Sequence, residues 1–266
     1  MFKHIIVPVD ESTRSLSAVP VASQLAEQFS VDTQLLSVIS PKDKPEARET
    51  KIKSKMADLG LTPAAVEVKQ SMSVIDTLLA VFSRQDEPLM VMSTHARNPI
   101  HEIAVGSVAS AVLLQSRRPM MFVGPRFAVH WRGPIRHLVV PFDGSEFSEA
   151  SVSLAADWAQ QADLPMVLVQ VLDPSQAGAA GSDVLEWGSL KRKANELCDQ
   201  GLKVSYEVLH GSDVAGAISH FVDTVKSPLV VMSTRGASGL DRLKIGSVAK
   251  SLLEEVSAPV LLKAPN

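Results

Sequence analysis

Pro228-Leu229-Val230-Val231-Met232-Ser233-Thr234-Arg235-Gly236-Ala237-Ser238-Gly239-Leu240-Asp241-Arg242-Leu243-Lys244-Ile245-Gly246-Ser247-Val248-Ala249-Lys250-Ser251-Leu252-Leu253-Glu254-Glu255-Val256-Ser257 is the stretch whose reading decides the fold. Leu229 to Met232 is a short unbroken apolar run, the pattern of a strand buried on both faces. Ser233 to Lys244 reads as a loop in which Gly236 and Gly239 allow close backbone approach to a ligand. Gly246-Ser247 then opens a helix, with Ser247 expected as N-cap and Val248, Leu252 and Val256 at helical spacing. Strand, small-residue loop and helix start together suit an anion, because free N–H groups and the helix dipole both favour negative charge.

The same order of features occurs twice. Pro8 and Pro141, Asp10 and Asp143, and Ser12 and Ser145 are each 133 residues apart. Later in the copies the offset is 140: Pro88 and Pro228, Ser93 and Ser233, Gly106 and Gly246, Ser107 and Ser247, Pro119 and Pro259. The difference falls at Asp173 to Gly181, read as a flexible surface insertion in the second copy. In the first copy, strands are expected at 4–10, 33–39, 66–68, 89–92 and 119–123. Helices are expected at 14–29, 46–58, 74–83 and 107–116. Alternating strands and helices argue an α/β fold with a parallel sheet covered on both faces. The expectation is therefore a tandem duplication of a doubly wound domain: residues 1–127, a linker at 128–134, and residues 135–266.

Composition narrows the function classes. Hydrophobic content of 45% and charged content of 21% over 266 residues suit a globular chain with a substantial core. A net charge of −3 gives no basic excess for nucleic acid or an anionic membrane. The single cysteine, Cys198, has no partner for an internal disulfide and is expected to be an unreactive thiol. No apolar run approaches membrane-spanning length and no signal peptide is visible, so a cytoplasmic location is expected.

Ser233-x2-Gly236-x9-Gly246-Ser247 resembles the Gly-x2-Gly-x9-Gly-Ser/Thr signature of ATP-binding universal stress proteins, with Ser233 in place of the first glycine. The resemblance covers both copies. It implies two adenine-nucleotide alpha-hydrolase-like domains, each a five-stranded parallel sheet flanked by helices. It also implies a cytoplasmic protein of stress response or signalling that binds ATP, with ADP or AMP as alternatives and Mg2+ accompanying the phosphates. Carried over, the nucleotide residues of the second copy are Pro141, Asp143, Val171, Ser233, Arg235, Gly236, Gly246, Ser247 and Val248. Arg235 and Arg242 are candidate phosphate-side cations, although a solvated loop arginine is the ordinary reading of each. The first copy keeps Asp10, Val38, Ser93, Gly106 and Ser107, but Ala96 replaces the second glycine and Pro99 stiffens the loop. Its site is expected to be weakened, and binding there stays open. In single-domain relatives the last strands pair across a dimer axis. Met120 to Val123 and Val260 to Leu262 are thus expected to pair within the chain as a pseudo-dimer, with further homodimerisation left open.

Other chemistries find little support. His95 and His101 share a loop with no cysteine or carboxylate pair to complete a zinc site. No Gly-x-Ser-x-Gly elbow surrounds Ser145. The P-loop lysine pattern is missing, so any ATP hydrolysis is expected to be slow and the chain is read as a binding protein rather than an enzyme. Trp158 and Trp187 read as packing residues on helices. The alternative is a tandem scaffold that takes no nucleotide and binds a protein or small apolar ligand.

Overall fold

The computed structural model describes residues 2–62, 64–94, 106–127, 131, 133–173, 182–235 and 245–265, with the backbone alone at 182–187. Two compact units divide the chain, Phe2–Pro134 and Ile135–Asn266.

In the first unit, β1 (His4–Pro8), β2 (Asp32–Ile39), β3 (Val66–Gln70), β4 (Pro88–Ser93) and β5 (Met120–Val123) form a parallel sheet in the order β3-β2-β1-β4-β5. Ile5, Ile6 and Val7 of the central strand are completely buried, as a sheet covered on both faces requires. Parallel neighbours need crossovers, and the helices supply them. The expected helix from Arg14 to Phe29 is two helices, α1 (Thr13–Leu16) and α2 (Val19–Phe29). Pro20, in the first turn of α2, has no N–H, and its ring would strike the carbonyl of residue 16 in a continuous helix. The chain therefore breaks at Ser17 and restarts. α3 (Pro45–Asp58), α4 (Val74–Arg84) and α5 (Ser107–Ser116) complete the unit, and α4 packs against α5.

The second unit repeats the plan with β6 (His137–Pro141), β7 (Met166–Leu172), β8 (Val204–His210), β9 (Pro228–Ser233) and β10 (Val260–Lys263), in the order β8-β7-β6-β9-β10. Registers match between copies: Ile5 pairs with Leu89, and Leu138 pairs with Leu229. α6 (Glu146–Ala162), α7 (Ser182–Asp199), α8 (Val214–Thr224) and α9 (Ser247–Glu255) cover the sheet. α6 lies against β9, while α8 packs on α9. Trp158 of α6 is buried, as its packing role predicts, whereas the Trp187 side chain and the insertion at 174–181 lie outside the described residues. Cys198 is exposed and free, its Sγ 3.4 Å from the Val204 carbonyl oxygen. Among the described residues no helix is long and apolar enough to cross a membrane.

Both orders place the strand reversal between the first and fourth strands of the unit, β1/β4 and β6/β9. In open α/β sheets the crevice beyond the carboxyl ends of those strands is where ligands bind.

Candidate functional site

At the carboxyl rim of the second unit, β6 ends at Pro141 and the chain turns through Phe142-Asp143-Gly144 into α6. Gly144 takes φ +76°, a left-handed conformation that costs an L side chain roughly 1–2 kcal/mol. Asp143 Oδ1 accepts from the Ser145 N–H at 3.0 Å and from the Ser145 hydroxyl at 2.6 Å. Ser145 in turn caps α6 by accepting from the Ser148 N–H at 3.2 Å. The carboxylate is thus held by the turn and stays exposed. Val139 pairs with Val230 and Pro141 with Val169, so Asp143, Thr234 and Val171 follow on neighbouring strands of one rim.

The other wall is the β9–α9 connection. The Thr234 N–H continues the ladder by donating to the Lys263 carbonyl at 3.0 Å, and the Thr234 carbonyl accepts from the Gly246 N–H at 2.7 Å. The helix start is thereby pinned to the strand end. A Cβ on Gly246 would stand 3.1 Å from the Thr234 carbonyl oxygen, so strand end or helix start would have to give by a few tenths of an ångström to admit one. The expected N-cap is corrected here: Gly246, not Ser247, is the cap of α9, and no side-chain cap bond is made. Ser247 is the first helical residue because the chain enters extended at Gly246, with φ −64° and ψ 158°. Rim helices α1, α4, α6 and α8 start instead with a side-chain cap from Ser12, Ser73, Ser145 or Asp213. The first bond into α9 is from the Lys250 N–H to the Gly246 carbonyl, leaving the N–H groups of Ser247, Val248 and Ala249 ahead of the ladder. Ser247 and Val248 are exposed.

Between the two walls lies Arg235, and here the ordinary reading fails: the side chain is buried, 6% exposed. Its Nε and Nη2 have no hydrogen-bond partner among the described residues, and neither does the buried Thr234 hydroxyl. The guanidinium lies over the Phe147 ring at 5.9 Å, on the first turn of α6. Leaving buried donors of a charged group unsatisfied is costly, so the Nε and Nη2 edge of Arg235 is able to take an anion. The cradle at Gly246, the N–H groups of α9 and the orphaned edge of Arg235 are a donor set that fits a phosphate.

Ser233 is the last residue of β9 and takes no positive φ; its Oγ accepts from the Arg235 N–H at 3.3 Å. A serine at the first signature position therefore imposes no backbone strain. Gly236, Gly239 and Arg242 lie outside the described residues.

In the first unit the framework is the same. The Gly106 N–H donates to the Thr94 carbonyl at 2.6 Å, a Cβ there would meet that oxygen at 3.1 Å, and Gly106 is the N-cap of α5, with Ser107 its first residue. Asp10 Oδ1 accepts from the Ser12 N–H at 2.8 Å, Val38 is part-buried on β2, and Ser93 ends β4. Where the second unit has Gly144, however, the first has Glu11, which bridges Lys51 at 3.1 Å and Arg48 at 3.5 Å. A second carboxylate thus stands at this rim. His95, Ala96, Pro99 and His101 lie outside the described residues. Among the described residues no group of His, Cys, Asp and Glu could hold a metal ion.

The family model of the universal stress proteins matches residues 1–124 and again 134–262. The chain belongs to the universal stress protein family. Its tandem architecture carries two universal stress protein segments. A universal stress protein of Methanocaldococcus jannaschii is 31% identical over 138 residues, covering 48% of this chain and 81% of that protein. One of Mycobacterium tuberculosis is 32% identical over 141 residues, half of each protein. Among solved structures, a universal stress protein from Archaeoglobus fulgidus has the same fold over 99% of both chains, with a TM-score of 0.65 at 14% identity. A functionally unknown protein from Pseudomonas aeruginosa matches with a TM-score of 0.64 at 15% identity, over 99% of this chain and 93% of that one.

Residue types alone did not mark Phe147, Thr234 or Glu11. The repeat held one usable signal, since Glu11 and Gly144 stand at equivalent positions 133 apart.

Proposed function

We propose that this universal stress protein binds an adenine nucleotide in its second domain, in the crevice between β6 and β9. The observation that carries the reading is the buried Arg235 side chain, orphaned beside an uncapped helix start. In this arrangement the N–H groups of Ser247 and Val248, the Ser247 hydroxyl and Arg235 hold the phosphates. Asp143 accepts from a ribose hydroxyl or base amine, and Pro141 and Val171 line the nucleoside. Gly236 is carried into the proposal by the sequence signature alone. ATP is the favoured ligand, with ADP or AMP as alternatives and Mg2+ on the phosphates. The role is binding in stress response or signalling in the cytoplasm, with hydrolysis slow at most. Pairing of the two last strands, Met120–Val123 and Val260–Lys263, belongs to the same proposal and is tested by cross-linking.

The first domain is the weaker site. Asp10, Val38, Ser93, Gly106 and Ser107 remain, but Ala96 replaces the second glycine of the signature and Pro99 removes a donor from the loop. Mass spectrometry of ligand released from protein purified without added nucleotide, together with ATP titration, tests the reading. One dominant site per chain supports it. Protein that releases no nucleotide and binds neither ATP nor adenosine refutes it in favour of the scaffold alternative.

A further inference from the structure

A guanidinium in the protein interior needs something to hold its plane as well as something to satisfy its donors. The unpartnered nitrogens of Arg235, Nε and Nη2, share one edge of that plane. Their N–H bonds run parallel, the fork that grips two oxygens of one phosphate. What the structure gives the group is a face contact, the Phe147 ring 5.9 Å away. Phe147 is itself fixed, since α6 begins with the Asp143–Ser145–Ser148 bonds two residues before it and one after.

We infer that Phe147 is a positioning residue of the second domain: its ring holds the Arg235 guanidinium in place, so that the Nε/Nη2 edge is set for a phosphate before the ligand arrives. The inference rests on the reading that this site takes a phosphate-bearing ligand. Preorganisation of this kind raises affinity by removing ordering that binding would otherwise require. The pair also joins the two walls of the crevice, because the ring stands on the first turn of α6, directly after the turn that carries Asp143, while the cation follows β9. The first copy lacks both members: Arg14 stands at the position of Phe147, and His95 at that of Arg235.

The test is calorimetric titration of the full chain with three probes: tripolyphosphate for the anion alone, adenosine for the nucleoside alone, and ATP. The variants are Phe147→Leu, Phe147→Tyr, Phe147→Trp, Arg235→Met, and Phe147→Leu combined with Arg235→Met. Phe147→Leu keeps an apolar side chain and removes the ring face. It is expected to weaken tripolyphosphate and ATP roughly 2- to 30-fold, the range of a cation–π contact, and to leave adenosine unchanged. Phe147→Tyr or Phe147→Trp restores the affinity, and Phe147→Leu has no effect in the Arg235→Met background. Equal loss for adenosine, losses that multiply in the double variant, or failure of both aromatic variants to rescue overturns the inference. A Phe147-dependent tripolyphosphate site with no adenosine binding and no ATP advantage supports this inference while sinking the nucleotide reading. Nucleotide binding indifferent to Phe147 does the opposite, and no binding of any probe sinks both.

Discussion

Adding one methyl group at Gly246 is the sharpest test of the cradle. A Cβ there stands 3.1 Å from the Thr234 carbonyl oxygen, which is backbone and already accepts from the Gly246 N–H at 2.7 Å. Strand end or helix start must therefore move by a few tenths of an ångström. Overpacking of this kind costs about 1–3 kcal/mol. Alanine is also a poorer N-cap than glycine, by about 0.5–1.5 kcal/mol. Against this, Gly→Ala stabilises through the unfolded chain by about 0.4–1 kcal/mol, because φ −64° is open to alanine. The net expectation for Gly246→Ala is a loss of about 0.5–4 kcal/mol. Gly106→Ala is a matched control, with the same 3.1 Å approach to Thr94 and φ −52°. Urea unfolding followed by circular dichroism should show similar losses for the two variants, while ATP titration should show weakened binding only for Gly246→Ala. A Gly246→Ala protein as stable as wild type would mean that the carbonyl yields freely, and the argument from close approach fails. Equal effects of both variants on ATP would show that the two sites are equivalent.

Because Ser247 is not the cap, Ser247→Ala should leave stability nearly unchanged but weaken ATP about 10- to 100-fold, the contribution of a bond to a charged group, with adenosine unaffected; melting curves and paired titrations check both halves. Asp143→Ala should weaken adenosine and ATP by similar factors, and an effect on ATP alone would move Asp143 away from the nucleoside. Gly144→Ala has open space for its Cβ, so its expected loss of about 1–2 kcal/mol in urea unfolding comes from the positive φ alone. Hydrogen bonds from Lys3 and Lys193 hold the carboxyls of Asp86 and Glu196 below their ordinary values of 3.8 and 4.5. Lowered folded-state values mean that this contribution is complete above those ordinary values and is lost as pH falls through the lowered ones. The variant carrying Asp86→Asn and Glu196→Gln should therefore be slightly less stable than wild type at pH 7 and lose stability less steeply below about pH 4.5, the two converging in acid; an unchanged acid limb would refute it.

The duplication and the α/β alternation were legible in the sequence, because a buried parallel strand must be a continuous apolar run whatever surrounds it. His4 to Pro8 and His137 to Pro141, with fixed offsets to Pro88 and Pro228, leave little else those residues can be. The helix break before Pro20 was available too, since proline chemistry is local, yet the apolar spacing of Val19, Ala22 and Leu25 masked it. The candidate site was legible only in outline. Gly246 and Ser247 advertise a helix start, but which of them caps it depends on the extended entry imposed by the hydrogen bond to Thr234. Arg235 in a glycine loop reads as solvated. Its burial and its contact with Phe147, far away in sequence, exist only once β9 lies beside β6 and α6 crosses over β9. Charge and polarity belong to a residue and can be read from its type, whereas desolvation is conferred by neighbours, and at this site the neighbours come from the other end of the domain.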